Sequence, residues 1–280
     1  MQRTILAPAK VNLILDVLGQ RPDGYHDVAM LMVRLSLHDR VRVALVPGSE
    51  ITVTCPGLDL AAGEENIAGR AARLFLDHAG RRSGVVIHID KQIPAAAGLG
   101  GGSSDAAAVL LALGDLLGSA LPRSELQALG VRLGADVPFF LCGEMAAWAT
   151  GIGERLVPWR GLPPCWLVLV NPRFAVSTAW VYGNLQLTHP RGMSKIPRFP
   201  ERVDDLGGLL RNDLEQVTAS RHPEIAAIKE QLQTAGALGT LMSGSGPTVF
   251  GVFAAQSAAE QAAAELSRDT GWWATVTCPC

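Results

Sequence analysis

The sequence predicts an α+β fold, and three observations support this class. The first third is rich in strand patterns, the rest mixes helical and strand patterns, and the two types do not alternate strictly as they would around a parallel sheet. The 280 residues suffice for one large domain or two ordinary ones. Pro, Trp and Gly interrupt the pattern near residues 158–164, so we predict one domain over 1–157 and a second over 158–280.

In the first domain, strands are predicted where apolar residues alternate with polar ones. The segment 10–17 places Val11, Leu13, Leu15 and Val17 on one face and Lys10, Asn12 and Asp16 on the other. Pro-Gly turn signals separate the other predicted strands, which span residues 40–46, 51–54 and 85–90. Apolar residues at helical spacing predict helices over residues 66–79, 104–117 and 124–133.

The second domain is predicted to mix strands and helices. Pro223 at the first position and Gly236 after the last one delimit a helix over 223–235. A second helix is predicted over 257–268, and strands over 165–170, 237–242, 248–254 and 272–277. The last strand fits either domain. Residues 190–200 are predicted to form a surface loop.

Composition and charge exclude several classes of protein. The 24 Lys and Arg residues nearly balance the 26 Asp and Glu residues, so no basic surface for nucleic acid or an anionic membrane is expected. No signal peptide or membrane span is recognisable. The five scattered cysteines have no zinc-site spacing, and reduced thiols are typical of intracellular proteins. We therefore expect a cytoplasmic protein.

One segment is specific for a phosphate ligand. It reads Pro94-Ala95-Ala96-Ala97-Gly98-Leu99-Gly100-Gly101-Gly102-Ser103-Ser104 and precedes a helix rich in small residues. Glycines let the backbone approach a ligand closely, and the following helix offers unpaired N–H groups and the positive end of its dipole. Ser103 and Ser104 add hydroxyl donors, and either could cap the helix. A flexible turn is the ordinary alternative.

Two common nucleotide motifs do not fit this loop. A Walker A loop requires a lysine after its last glycine, and none is present. A dinucleotide fingerprint requires a third glycine where Ser103 stands, and an acidic residue after the next strand is also missing. A nicotinamide-dependent oxidoreductase is therefore disfavoured.

Four motifs, which span residues 7–248 in the expected order along the chain, are similar to those of the GHMP kinases, named after galactokinase, homoserine kinase, mevalonate kinase and phosphomevalonate kinase. They are the glycine loop, Ala7-Pro8-Ala9-Lys10-Val11-Asn12-Leu13, Arg21-Pro22-Asp23-Gly24-Tyr25-His26, and Met242-Ser243-Gly244-Ser245-Gly246-Pro247-Thr248. The triple glycine followed by two serines and the Arg21–His26 motif resemble the branch whose substrate carries a cytidine diphosphate.

The resemblance implies a fold and an activity. The N-terminal domain should resemble the second domain of ribosomal protein S5, and the C-terminal domain should be ferredoxin-like. ATP should donate a phosphoryl group to a 2-hydroxyl of a cytidine-diphosphate-linked methylerythritol on the non-mevalonate route to isoprenoids, with Mg²⁺ as the accompanying ion. We expect a monomer or homodimer that binds this small molecule and neither nucleic acid nor membrane. Its metal ligands are unknown.

The resemblance also assigns the catalytic residues. Asp136 matches the family's catalytic aspartate and is the candidate general base, whereas a turn or cap carboxylate is the structural alternative. Lys10 is the candidate cation that keeps Asp136 ionised and stabilises charge on the phosphoryl group, whereas a solvated strand lysine is the alternative. Asn12 projects from the same face and could bond the substrate hydroxyls.

Further candidates concern the substrate. Tyr25 and His26 should meet the cytosine by stacking and by reading its edge. Tyr182 is the candidate for the opposing stack, with Trp180 as its competitor, and Thr178 of the same segment is also assigned to the substrate. Two residues of the fourth motif, Gly244 and Ser245, should reach the substrate or the phosphates, although a tight hairpin also explains them.

One departure from the family and two further alternatives complete the interpretation. Alanines stand at 95–97, where some relatives carry glycine, so ordinary backbone angles are expected there. A non-catalytic ligand sensor could lack the base and the lysine, but Asp136 and Lys10 are both present. A sister kinase for homoserine or a mevalonate derivative is the other alternative.

Overall fold

A computed structural model describes residues 1–57, 65–119, 121–186, 196, 198 and 200–280. The chain divides into two compact units, each built from several segments. Unit 1 comprises residues 1–9, 37–95 and 100–143, and unit 2 comprises 10–36, 96–99 and 144–280. This division is finer than the predicted boundary at 157/158, which stays a prediction.

Eleven strands and eight α-helices lie in the described part of the chain. The strands are β1 (Gln2–Gln20), β2 (His26–Val46), β3 (Ile51–Thr54), β4 (Gly84–Asp90), β5 (Ala146–Gly151), β6 (Arg155–Pro158), β7 (Trp166–Asn171), β8 (Arg211–Asn212), β9 (Gly239–Met242), β10 (Val249–Phe253) and β11 (Trp273–Thr277). The helices are α1 (Ile67–His78), α2 (Gly101–Leu116), α3 (Arg123–Val131), α4 (Val137–Leu141), α5 (Thr178–Gly183), α6 (Glu215–Arg221), α7 (Glu224–Thr234) and α8 (Gln256–Thr270). A 3₁₀ helix spans Val203–Leu209.

Unit 1 packs helices against strands. The second half of β2 pairs antiparallel with β4, from Arg40 opposite Asp90 to Val46 opposite Gly84, and β3 runs parallel to β4. Helix α2 contacts α1, α3 and α4, and ten of its sixteen residues are buried. Its small side chains allow this close packing, because alanine and glycine bring helix backbones near their neighbours.

Unit 2 contains a four-stranded antiparallel sheet with the strand order β11-β7-β10-β9. Helices α5, α6 and α7 separate β7 from β9, and α8 separates β10 from β11. This is the βαββαβ arrangement of a ferredoxin-like domain, so the predicted C-terminal fold is confirmed. The last strand lies beside β7 in this sheet.

Strand β1 is buried on both faces through its middle. Every residue from Ala9 to Val17 is buried, including Lys10 and Asn12 at 4% and 0% exposure. The alternative of a solvated strand lysine is therefore wrong. In unit 2, β1 pairs with β8 in parallel, and the first half of β2 pairs with β5.

Most predicted elements occur within two residues of their predicted bounds. The helix predicted from residue 104 begins earlier, at Gly101, because the glycines themselves adopt helical geometry. Strands β5 and β6 and residues 26–36 of β2 were not predicted. In β5 and in this part of β2, buried residues follow one another without alternation. Only residues 196, 198 and 200 of the predicted 190–200 loop are among the described residues. No helix in the described ranges is long and apolar enough to span a bilayer.

Candidate active site

The glycine loop is divided between the two units. Pro94, Ala95 and residues 100–104 belong to unit 1, and residues 96–99 belong to unit 2. In unit 1, Gly100 is the N-cap of α2 with a φ of 70°, a left-handed conformation that favours glycine. The expectation that Ser103 or Ser104 caps the helix is wrong, because both lie inside its first turns and no side chain caps it. The unpaired N–H groups of α2 therefore begin at the triple glycine.

A buried charged cluster, which the sequence analysis missed, adjoins the start of α2. The Lys91 ammonium donates to Asp39 Oδ2 at 2.5 Å and to Asp105 Oδ2 at 2.9 Å. Asp39 and Asp105 are exposed by 0% and 4%. Burial, assisted by the charge of Asp39, raises the pKa of Asp105 to about 7 against the opposing effect of Lys91.

Asp136 stands in unit 1 directly before α4. It occupies the N-cap position, but its side chain makes no capping hydrogen bond, which disfavours the alternative of an ordinary cap. The preceding turn lies close to the end of the glycine loop, since a Cβ on Gly134 would be 3.9 Å from Ser103 Oγ. The chain thus brings the candidate base to the region of the loop serines.

In unit 2, the middle of the glycine loop is bound to the 243–248 turn. Ser243 Oγ donates to the Gly98 carbonyl at 2.9 Å, and the Thr248 N–H donates to the Ala97 carbonyl at 3.3 Å. A Cβ on Gly98 would lie 2.1 Å from the Ser243 carbonyl oxygen. Only glycine fits there, because its φ of 76° is also in the left-handed region.

Ala96 contradicts the expectation of ordinary backbone angles at 95–97. Its φ is +49°, which costs a non-glycine residue about 1–2 kcal/mol. Hydrogen bonds on two residues that follow Ala96 maintain this conformation. The Ala97 carbonyl accepts from the Thr248 N–H, and the Leu99 carbonyl accepts from the Lys10 N–H at 2.9 Å. Strained backbone of this kind persists where the surrounding structure determines it.

Lys10 and Asn12 lie together on the buried polar face of β1. The Lys10 ammonium donates to Asn12 Oδ1 at 2.6 Å, and Asn12 Nδ2 donates to Met30 Sδ at 3.4 Å. The Asn12 oxygen is also near the 243–247 turn, 3.6 Å from the position of a Cβ on Gly244. A buried ammonium must be hydrogen-bonded, and Asn12 fixes its direction.

The fourth motif forms the turn between the antiparallel strands β9 and β10. The tight hairpin, which was the alternative explanation of Gly244 and Ser245, is therefore present. Three side chains anchor it. Asn212 Nδ2 donates to the Met242 and Gly244 carbonyls at 2.8 and 2.7 Å, Thr218 Oγ1 donates to the Ser245 carbonyl at 3.1 Å, and Thr178 Oγ1 lies 2.9 Å from Ser245 Oγ. Thr178 and Ser245, both predicted substrate residues, are therefore neighbours.

The aromatic candidates in unit 2 have three different surroundings. His26 and Tyr182 are in contact, with ring centroids 4.9 Å apart and an angle of 34° between the rings. Tyr25 is 60% exposed, and Asp23 fixes its backbone by accepting its N–H at 3.1 Å. Trp180 instead lies beneath the Arg221 guanidinium at 4.9 Å, so Tyr182 is the aromatic that faces His26.

Comparison with known proteins agrees with this fold and these motifs. The GHMP kinases N terminal domain family matches residues 66–144, and the GHMP kinases C terminal family matches residues 195–271. The chain belongs to the GHMP kinase family, whose members are small-molecule kinases.

Two relatives of high sequence identity carry the same name. The 4-diphosphocytidyl-2-C-methyl-D-erythritol kinase of Syntrophotalea carbinolica is 56% identical over 96% of both chains, and the one of Geobacter sulfurreducens is 52% identical over 97% of this chain and 96% of its own. A crystal structure of 4-(cytidine 5'-diphospho)-2C-methyl-D-erythritol kinase superimposes with a TM-score of 0.82, 40% identity and full coverage of both chains. Homoserine kinase from Cytophaga hutchinsonii has a TM-score of 0.76 at 19% identity over 100% of this chain and 94% of its own, and so shares the fold.

Proposed function

We propose that this chain transfers the γ-phosphoryl group of ATP to the 2-hydroxyl of 4-diphosphocytidyl-2-C-methyl-D-erythritol. The observation that carries the proposal is the identity of 50% or more to several curated relatives of this name over almost the whole chain. Sequence identity of that extent, together with intact loop, lysine and aspartate positions, favours the same reaction. The product would enter isoprenoid precursor synthesis by the non-mevalonate route.

The glycine loop and the start of α2 would hold the ATP phosphates. Backbone N–H groups at a helix N-terminus attract anions because they lack partners and carry the positive end of the helix dipole. The residues assigned to ATP are Pro94, Ala95, Ala96, Ala97, Gly98, Leu99, Gly100, Gly101, Gly102, Ser103 and Ser104. The left-handed conformations of Gly98 and Gly100 support this assignment, since they define a loop backbone that carries no side chain at these two positions.

Asp136 would accept the proton of the acceptor hydroxyl, and Lys10 would stabilise the negative charge on the phosphoryl group during its transfer. Phosphoryl transfer depends chiefly on positioning and charge neutralisation, so a proton acceptor and one directed ammonium suffice from the protein. The place of Asp136 directly before α4, after a turn that lies close to Ser103, and the 2.6 Å bond that directs Lys10 support these roles.

The cytidine-bearing acceptor would occupy the residues that converge in unit 2. Tyr25, His26 and Tyr182 would bind the cytosine, because exposed aromatic rings offer stacking surfaces. Asn12, Thr178, Gly244 and Ser245 would bond the remaining polar groups of the acceptor. The contacts between His26 and Tyr182 and between Thr178 and Ser245 support this grouping.

Mg²⁺ would accompany ATP and supply neutralisation of the phosphate charge during transfer. No group of three His, Cys, Asp or Glu side chains that could hold a metal occurs among the described residues. A Mg²⁺ ion that arrives with ATP and keeps several waters does not require such a group.

Location, assembly and domain division are further parts of the proposal. The five cysteines are all free thiols, which supports a reducing compartment such as the cytoplasm. A monomer or homodimer is proposed on the resemblance alone. We keep the functional division at 157/158, with an ATP-binding N-terminal domain and a substrate-binding C-terminal domain.

An ATP-consumption assay with three acceptors tests the proposed reaction. The cytidylylated methylerythritol should be phosphorylated, whereas homoserine and mevalonate should not. Turnover of either of these two in place of the cytidylyl compound would establish a sister kinase instead. ATP binding without turnover of any acceptor would indicate the ligand sensor.

A further inference from the structure

The buried cluster of Asp39, Lys91 and Asp105 contacts the residues on both sides of the glycine loop. Asp39 lies in β2, Lys91 follows the last residue of β4, and Asp105 lies in α2. The three side chains are exposed by 0%, 16% and 5%, respectively. Three elements of unit 1 therefore meet through charged groups in an otherwise apolar interior.

Asp39 holds the segment that leads into the loop. Its Oδ1 accepts the N–H groups of Gln92 and Ile93 at 2.6 and 2.9 Å, and its Oδ2 accepts Lys91 Nζ at 2.5 Å. The N–H groups of these two residues have no strand partner because β4 ends at Asp90. One carboxylate thus fixes the backbone immediately before Pro94.

Lys91 extends this attachment to the far side of the loop. Its ammonium bonds Asp105 at 2.9 Å and lies 3.2 Å from the position of a Cβ on Gly101. Ile93 Cγ2 lies 3.1 Å from the same position. Side chains from the segment before the loop therefore lie against the first residue of α2, where the phosphate-binding N–H groups begin.

The cluster adds little to the stability of the fold. With both carboxylates ionised it carries a net charge of −1, and Asp105 Oδ1 and Ser104 Oγ are buried without a hydrogen-bond partner. Buried ion pairs contribute little to stability, and apolar residues of similar volume often replace them without loss. Ion pairs instead fix the relative position of the elements that they join, because charge-assisted hydrogen bonds constrain both angle and distance.

We propose that Asp39, Lys91 and Asp105 form a clamp that positions the two ends of the glycine loop for the nucleotide. Asp39 and Asp105 are positioning residues, since they act through Lys91 and through backbone N–H groups. The clamp rests on the proposed function, in which this loop binds the phosphates of ATP. Loosening it should weaken nucleotide binding more than it weakens the fold.

Affinity for a fluorescent ADP analogue (mant-ADP with Mg²⁺) in the full chain tests the clamp. Asp105→Leu keeps the branched shape of the side chain, with a larger volume, and removes the acceptor for Lys91, so the Kd should rise at least ~10-fold. Asp105→Asn keeps an oxygen that can accept from Lys91 Nζ, and its Kd should stay within about threefold of the wild type. Asp90→Asn is the matched control, because Asp90 is the neighbour of Lys91 but its ion pair with Arg42 at 3.2 Å is half exposed. Its Kd should not change.

Circular dichroism identifies the folded fraction of each variant, and the Kd is read on folded protein. A purely structural role would lower the melting temperature and leave the Kd of the folded Asp105→Leu chain unchanged, which would overturn the clamp. If Asp105→Leu does not fold, Asp39→Asn takes its place, since it can keep the Oδ1 bonds while losing the ion pair with Lys91. An unchanged Kd there would equally refute the clamp.

The proposed function can fail separately from the clamp. Normal mant-ADP binding without phosphorylation of the cytidylyl acceptor would refute the substrate assignment and leave the clamp standing. A wild-type chain that does not bind mant-ADP at all would refute both.

Discussion

Replacing Asp105 by asparagine should change how the stability of the protein depends on pH. Burial raises the pKa of Asp105 to about 7, against an ordinary value of 3.8 in the unfolded chain. Between these values the folded protein holds a proton that the unfolded chain releases, so this group favours folding at low pH. The contribution is fully present below about pH 4 and is lost as the pH rises through 7.

The size of the effect follows from the same two values. Between pH 8 and pH 5 the folded form of Asp105 becomes protonated while the unfolded form stays ionised. At 1.36 kcal/mol per pH unit, the free energy of unfolding should gain about 2–3 kcal/mol over this range from Asp105 alone. The asparagine side chain of the variant does not titrate, so the difference between wild type and variant isolates this contribution from all other groups. The titratable groups that face Asp105 are Lys91, Asp39 and Cys55, and all three are present in both proteins.

Urea unfolding at several pH values between 5 and 8.5 measures this difference. Circular dichroism at 222 nm is the appropriate signal, because α1, α2 and α3 belong to unit 1, whereas all six tryptophans lie in unit 2. As the pH falls, the free energy of unfolding of the wild type should rise relative to that of Asp105→Asn. The free energy of unfolding of Asp90→Asn should change with pH as that of the wild type does. Parallel curves for wild type and Asp105→Asn would refute the reasoning, since they would mean that Asp105 is ionised throughout.

Three further predictions concern the loop and the base. Asp136→Ala should lower turnover at least ~100-fold with an unchanged melting temperature, and near-normal turnover would remove Asp136 from the mechanism. Gly98→Ala would place a methyl group 2.1 Å from the Ser243 carbonyl oxygen, so turnover should also fall at least ~100-fold, whereas Gly208→Ala, which meets nothing within 4 Å, should be neutral in the same assay. Ala96→Gly should not destabilise the protein and should raise the free energy of unfolding by up to about 1 kcal/mol, because glycine removes the strain at φ +49° but orders at an entropic cost. Ala97→Gly is the control for Ala96→Gly and should lower the free energy of unfolding. A lower free energy of unfolding in both variants would contradict the backbone strain at Ala96.

The fold was predictable where one chemical pattern determines one element. Period-two alternation located β3 and β4, and Pro and Gly located the ends of α7 almost to the residue. The pattern failed where strands are buried on both faces, as in residues 26–36 of β2. A strand of this kind has no polar face, so alternation disappears and only pairing partners define it.

The glycine loop and the 243–247 turn were predictable because their local composition is unusual. The charged cluster was not, since Asp39 and Lys91 are 52 residues apart and no local motif joins them. A signal did exist in the two predicted strands 40–46 and 85–90. Once these pair antiparallel with Arg40 opposite Asp90, the next positions outward are Asp39 and Lys91. An acid and a base at the open ends of two paired strands therefore predict an ion pair there.

Lys10 shows why the polar face of a strand is informative even when its burial is misjudged. Alternation placed Lys10 and Asn12 on one face of β1, and water was the ordinary expectation for that face. The face is buried instead, and an ammonium with 4% exposure keeps its charge only if polar groups replace its water. Asn12 supplies one such group at 2.6 Å. A lysine and an asparagine two residues apart on a buried stretch of strand are therefore better explained by a polar site than by solvent. Lys10 therefore belongs to the same region of unit 2 as Asn12 and the 243–247 turn.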